Sequence, residues 1–444
     1  MSTLLFKNAT IVNEGQSTEG DVLVKKGRIE RIDRNISGPK EAYREIDCTG
    51  LHLLPGCIDD QVHFREPGLT HKADIFTESR AAVAGGVTSF MEMPNTVPPT
   101  LTLEKLEEKF AIAARTAIAN HSFFMGVSNE NAKEVLRINA QKDRVCGVKI
   151  FMGSSTGSML VDNYLTLERI FSGTELLIAT HCEDERIIAA NKAKFPDAND
   201  ASFHPIIRNE EACFESSFSA VQLAKKHNTR LHILHISTTE ELRLFGNMLP
   251  LAEKRITAEV CVHHLHFTAD DYARLGNKIK CNPAIKDARH QPALWEALLD
   301  DRLDVIATDH APHTLEEKIQ PYQQSPAGLP LVQHSLLLML DAARRGKISV
   351  ERVVEKMAHA PAVCFGIRER GYIREGYFAD LVLADLKEQT NVKAENLLYK
   401  CGWSPLEGEI LAARIAHTFV NGREVWDGSR ILEGTMGERL YFNR

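Results

Sequence analysis

Short apolar runs recur through the middle of the chain, with helix-period stretches between them. The runs cover 59–65, 87–93, 121–127, 145–151, 176–181, 231–236, 256–263 and 304–309. Most are apolar without strict alternation, which is how strands buried on both faces read. Amphipathic stretches such as 103–119 and 210–227 lie between them. Alternating strand and helix signals predict a parallel sheet covered by helices, and this number of strands suits a closed (β/α)8 barrel. A doubly wound open sheet is the alternative, but no glycine-rich phosphate loop follows the first strand. The ends of the chain read differently. Residues 4–8, 20–29 and 46–50 are short strand-like pieces, with Lys26-Gly27 as a hairpin turn. Residues 371–385 and 415–426 are similar, with Asn421-Gly422 at a second turn. Too thin to be stable alone, the two ends predict one small composite β-sandwich. The expected division is 1–54 and 366–444 for the sandwich and 55–365 for the barrel, an α/β architecture of TIM type.

The first barrel strand carries the densest chemistry. Leu53, Leu54, Cys57 and Ile58 lead into Gln61-Val62-His63-Phe64-Arg65, and Pro67-Gly68 then breaks the chain. Period two places Gln61, His63 and Arg65 on one face. One could hold a metal and another an anion.

Composition narrows the classes without changing this picture. Of 444 residues, 43% are hydrophobic and 25% charged, as in a soluble globular protein. A net charge of -7 argues against nucleic acid as the main partner. No apolar run approaches a membrane span. The N-terminus lacks the zones of a signal peptide. Nine cysteines without a C-x-x-C pair do not read as a disulfide framework. A cytoplasmic protein with reduced thiols is expected.

Five strands carry a metal-ligand type at or near the C-terminal end: His63, Lys149, His181, His235 and Asp309. In a barrel those ends converge on one mouth, where active sites sit. Imidazole and carboxylate suit zinc or another divalent first-row metal. Lys149 is the odd member, since an ammonium repels a cation. It is either a carbamate formed with CO2, which could bridge two metals, or a lysine paired with a carboxylate. Among other candidates, His263, His264 and His266 read as structural or pocket-rim residues. Cys182 reads as a small buried hydrophobe. His232 and His235, three apart on one strand, cannot both enter the mouth.

The sequence resembles the amidohydrolase superfamily and, within it, the dihydroorotases. The likeness runs from Pro55-Gly56 through Leu383. It is most specific in Val62-His63-Phe64-Arg65-Glu66-Pro67-Gly68, Met93-Pro94-Asn95-Thr96, Gly147-Val148-Lys149-Ile150-Phe151 and Ile306-Ala307-Thr308-Asp309-His310-Ala311-Pro312-His313. An allantoinase is expected to read Asn-Glu-Pro-Gly where Arg65 begins Arg-Glu-Pro-Gly, and hydantoinases lack the pairing of Arg65 with Asn95. The resemblance implies reversible hydrolysis of dihydroorotate to N-carbamoyl-L-aspartate, a step of pyrimidine biosynthesis, with one or two Zn2+ ions per subunit. It implies Lys149 as a carboxylated bridging ligand, His181 and His235 completing one metal site, and His63 and Asp309 contributing to the other. Asp309 would also shuttle the proton. Arg65, Asn95 and His313 would hold the substrate carboxylate. Asn282 would line the pocket, and the loop at Gly328 would offer backbone groups to the ring. A homo-oligomer is implied, with association with aspartate transcarbamoylase as a further expectation.

One position departs from the pattern. Where the superfamily reads His-x-His, this chain has Gln61-Val62-His63. An amide is a weak ligand, so the site it shares with His63 is expected to be weakened. The outcomes are two metals of unequal affinity, one metal, or an impaired homologue. Lys149, His181, His235 and Asp309 all persist, which points to a working enzyme. The alternatives are another cyclic amidohydrolase, or an inactive structural partner of aspartate transcarbamoylase.

Overall fold

The computed structural model describes residues 3–153, 159–434 and 437–444. Among them, the central sheet is a barrel of parallel strands: β1 Cys57–Val62, β2 Val87–Glu92, β3 Asn120–Gly126, β4 Gly147–Phe151, β5 Ile178–His181, β6 Leu231–Ile233, β7 Ile256–Cys261 and β8 Val305–Ala307. Neighbours in sequence are neighbours in the sheet. The barrel closes where Val62 pairs in parallel with His310 and the His63 N–H donates to the His310 carbonyl at 2.7 Å. Nearly every strand residue is buried, as both faces of a parallel barrel must be. Helices such as Leu103–Thr116 and Glu210–His227 wrap the outside, each with a side-chain N-cap, Thr102 and Asn209.

Several strands are shorter than the apolar runs that predict them. β6 ends at Ile233, β7 at Cys261 and β8 at Ala307. The polar residues that follow belong to the loops above the mouth, not to the ladder.

The floor of the barrel is apolar. Ile58, Met91, Phe124, Leu177, Leu234 and Phe365 fill it, with Leu440 and Phe442 of the C-terminal tail. Truncating such a ring costs about 3–5 kcal/mol in a packed core. The mouth is therefore carried on a rigid base.

Strands from the two termini share one sheet. Thr3–Asn13, Gln16–Lys25, Arg28–Asp33, Tyr43–Asp47 and His52–Pro55 come from the N-terminal side. Leu381–Asp385, Arg414–Val420 and Arg423–Trp426 come from the other end. His52–Pro55 pairs antiparallel with Leu381–Asp385 and joins the two. Both turns expected from sequence form, with positive φ at Lys26, Gly27, Asn421 and Gly422. Phe6, Ile11, Val24, Leu53, Leu381 and Phe419 give this sheet its own core.

Candidate active site

The strand ends bring distant residues to one narrow pocket at the barrel mouth. Gln61, His63, Arg65, Lys149, His181, His235, Asn282, Asp309 and Gly328 all line it, with Phe151, Ala311 and Ala327. Three of these residues hold left-handed backbone: Arg65 at φ 69°, His235 at φ 41° and Asp309 at φ 47°. Such conformations cost about 1–3 kcal/mol each and gather at functional sites. Here they turn side chains inward just beyond the ladder. His235 thereby reaches the mouth, while His232 lies one layer below, with Nε2 3.1 Å from Asp60 Oδ2. Burial opposes charge on His232, but Asp60 and Glu259 override it and raise its pKa to about 9.

On the β4–β6 side, His181 Nδ1 and His235 Nε2 face each other at 3.0 Å. Both rings are buried, and burial lowers both pKa values. Lys149 stands on the neighbouring strand, 1% exposed, with its Nζ over the Phe151 ring. Among the described residues no carboxylate makes an ion pair with it. Burial pushes its amine down to about 7. A lysine without an ion-pair partner among the described residues, its amine easily deprotonated, is what CO2 addition needs, and it is not the lysine–carboxylate pair that spacing left open.

Across the mouth, His63 Nδ1 lies 2.7 Å from Asn95 Oδ1, and His63 Nε2 lies 3.0 Å from Asp309 Oδ1. With the Nδ1 proton given to Asn95, a neutral ring turns a lone pair on a carboxylate. Only a proton or a cation makes that contact favourable. Burial alone would raise the Asp309 pKa, but His63 more than offsets it, and the carboxyl stays ionised. Gln61 donates from Nε2 to Asp309 Oδ1 at 3.2 Å, and its Oε1 faces Cys261 Sγ at 3.7 Å. The donors on both sides therefore fit divalent cations, with Gln61 the poorest of them.

Arg65 is 1% exposed. Its Nε donates to the Pro312 carbonyl at 3.0 Å, and one terminal nitrogen is 3.0 Å from His313 Nε2. Among the described residues no carboxylate forms an ion pair with it. Burial lowers its pKa to about 10. Lys72 Nζ approaches His313 Nδ1 at 3.0 Å, so this corner of the pocket is rich in donors.

The loops that bear these groups are held by close backbone approach. Gly68 sits at φ 84°, and a Cβ there would meet the Val97 carbonyl oxygen at 1.8 Å. The Val97 N–H donates to the Pro67 carbonyl at 3.1 Å, which holds the Asn95 loop against the Arg65 loop. Gly328 is at φ 143°, and a Cβ would meet the Ala311 carbonyl oxygen at 2.4 Å.

Asn95 and His313 stand behind His63 and Arg65 rather than on the pocket wall. In the loop expected to offer backbone groups to the ring, the Gly328 N–H donates to the Lys280 carbonyl at 2.8 Å. Asn282 Oδ1 accepts from His204 Nε2 at 2.9 Å, which orients its amide.

Sequence reading missed the residues that aim the ligands. Glu183 Oε2 lies 3.1 Å from His181 Nε2, and Arg208 pairs with the same carboxylate oxygen. Burial would raise the Glu183 pKa, but Arg208 and His181 hold it down at about 2. The signal was present: a carboxylate two residues beyond a strand-end histidine. Glu259 Oε1 accepts from the His235 N–H at 2.9 Å, and Trp403 Nε1 donates to the His313 carbonyl at 2.8 Å. Nothing local marked either.

A family model described as the amidohydrolase family matches residues 52–425. A dihydroorotase of Halobacterium salinarum is 36% identical over 414 residues, 93% of this chain and 94% of that one. A dihydroorotase of Pyrococcus abyssi is 33% identical over 428 residues, 96% of each. Among solved structures, an L-hydantoinase (dihydropyrimidinase) from Arthrobacter aurescens superposes with a TM-score of 0.94 at 28% identity, covering 99% of this chain and 100% of that one. The barrel agrees with that solved structure, and the chain belongs to the amidohydrolase family.

Proposed function

We propose that the protein is a metal-dependent dihydroorotase, which opens the ring of dihydroorotate to N-carbamoyl-L-aspartate and closes it again. The observation that carries the substrate is Arg65, a buried guanidinium without a carboxylate partner, beside a pocket of metal-ligand side chains. A ring that brings its own carboxylate supplies the missing charge, and arginine suits a two-point contact with it. Hydantoin and dihydrouracil bring none. The relatives named as dihydroorotases support the same reading.

Lys149, as a carbamate, with His181 and His235 would hold one zinc ion. His63 and Asp309 would hold a second with the same carbamate, and Gln61 would be its weak neighbour. Bound zinc would polarise the ring amide and lower the pKa of water. The remaining work falls to the chain. Arg65 anchors the substrate carboxylate, with His313 and Asn95 fixing the groups around it. Asn282 and the Ala327-Gly328 edge flank the ring. Asp309 accepts a proton from the attacking water and returns it to the ring nitrogen as the amide bond breaks. In the reverse direction it takes the proton from that nitrogen. Closure consumes a proton overall, so lower pH favours it.

The decisive assay measures hydrolysis of dihydroorotate and cyclisation of carbamoyl-aspartate, with and without added zinc, beside hydantoin and dihydrouracil. Turnover confined to the carboxylated ring is expected. Equal or faster turnover of the uncharged rings would favour the second reading, a hydantoinase, which the likeness to the Arthrobacter aurescens enzyme supports. No turnover in the metal-loaded protein would leave a structural role only. No helix among the described residues is long and apolar enough to cross a membrane.

A further inference from the structure

β7 leads directly into a second group of metal-binding side chains. Cys261, His263 and His264 follow one another at the start of a one-turn helix, Val262–His266. The Cys261 sulfur and one ring nitrogen of each histidine lie within 4.8 Å of one another. All three residues are buried, with His263 wholly inaccessible. The two imidazole rings are tilted, with centroids 4.2 Å apart. Hydrogen bonding does not explain the cluster. The Thr308 backbone approaches His263, but among the described residues neither ring nitrogen of His263 has a partner of good geometry, and His264 Nδ1 has none. The remaining nitrogen, His264 Nε2, faces the Pro283 carbonyl at 3.3 Å. Leaving one buried polar atom unsatisfied costs about 1–3 kcal/mol, and such atoms call for an explanation such as an ion.

The comparison with Asp60, His232 and Glu259 is instructive. Those residues also bring ligand atoms together beneath the pocket. There, however, His232 Nε2 lies 3.1 Å from Asp60 Oδ2 and 3.5 Å from Glu259 Oε2, so the histidine itself can neutralise the carboxylates. The cysteine–histidine group has donor atoms and no internal cation.

We propose that Cys261, His263 and His264 form a second divalent-metal site, apart from the Lys149 pocket, with one thiolate and two imidazoles suited to zinc. This donor set is softer than that of the pocket. Three protein ligands leave a fourth position open, as zinc tolerates. Binding releases the Cys261 thiol proton, because only the thiolate is a ligand. The site touches the pocket at Gln61 and at Glu259, whose Oε1 lies 3.6 Å from Cys261 Sγ and accepts the His235 N–H. Cys261 Sγ now donates to Gln61 Oε1 at 3.7 Å, and Gln61 donates to Asp309. The ligands are not those assigned to the dihydroorotase chemistry, and the site stands or fails independently of it.

The test is absorption spectroscopy on full-length protein produced in cobalt-supplemented medium. A thiolate on Co2+ gives a near-ultraviolet sulfur-to-metal charge-transfer band, which the pocket cannot give because no cysteine lines it. The expected results are the band in the parent protein, its loss in Cys261→Ser, and one metal ion fewer per chain in both Cys261→Ser and His263→Gln. Absence of the band from the cobalt protein overturns the site, as does a band that survives Cys261→Ser. Unchanged metal content in both variants also overturns it. Should Cys261→Ser not fold, the parent spectrum and a weakened band in His263→Gln decide the matter.

Discussion

On the β4–β6 side of the pocket, three adjacent strand ends bring together Lys149 and the imidazoles of His181 and His235. On the β1–β8 side, His63 and Asp309 are joined by an amide, Gln61, which spends a hydrogen bond on the Asp309 carboxylate. The first side has nothing to do but hold a cation, and Glu183 with Arg208 aims one of its rings. The second has two tasks in the proposed mechanism, where Asp309 would help hold an ion and also move a proton. A weak neighbour is better tolerated beside a group that must let go. The difference implies unequal metal affinities: a tight ion on the β4–β6 side and a loose one on the other.

Replacing Asp309 breaks the asymmetry most severely. Asp309→Asn should lower kcat by roughly 10²–10⁴-fold, the usual contribution of a positioned proton carrier. Metal content on the β4–β6 side should remain, and elemental analysis beside the rate checks both halves of that statement. Next comes Arg65→Met, which removes charge-assisted bonds worth about 1.5–3 kcal/mol each. kcat/KM for dihydroorotate should fall by about 10²-fold, at roughly 1.4 kcal/mol per tenfold, while any residual action on an uncharged ring is unchanged. Glu183→Gln should weaken metal affinity on the tight side by about 10–100-fold, as loss of a histidine's carboxylate partner does. Competition with a chromophoric chelator would measure it.

Smaller effects test the lysine and the amide. CO2 adds to the neutral amine, and the Lys149 pKa lies near 7. The neutral fraction rises as pH rises through that value. Metal- and CO2-depleted enzyme should therefore regain activity with bicarbonate and zinc several-fold faster at about pH 8 than at about pH 6, with the concentration of dissolved CO2 held constant. A carbon-13 carbamate signal should appear in step. Finally, Gln61→His should raise affinity for the loose ion about tenfold or less, read from metal titration, and narrow the gap between the two sides.

The barrel was readable because its strands are buried on both faces and announce themselves as apolar runs. The ligands were readable because each sits at the end of such a run. Asn95 and His313 were recognised through resemblance, but their positions behind His63 and Arg65 were not visible in sequence. In the loop expected to offer backbone groups to the ring, the pairing of the Gly328 N–H with the Lys280 carbonyl was likewise not visible in sequence. The histidines after β7 were read as structural or rim residues. The burial of His263 and His264 beside Cys261, with three of their four ring nitrogens lacking a hydrogen-bond partner among the described residues, appears only when β7 ends at Cys261 and the helix begins. Local pattern records which residues leave the ladder, not what they meet afterwards.

By itself, the sequence determined the alternation of strands and helices, the turns at Lys26-Gly27 and Asn421-Gly422, and the ligand types at the mouth. These follow from periodicity and residue chemistry, which are local. Tertiary structure alone decided that Arg65 is buried without a counter-ion, that Lys149 has no carboxylate partner, and that Gln61 turns its amide to Asp309. Each depends on what residues more than a hundred positions away place, or fail to place, within a few ångströms. Closing the barrel creates those encounters, and burial at the mouth makes each unpaired charge count.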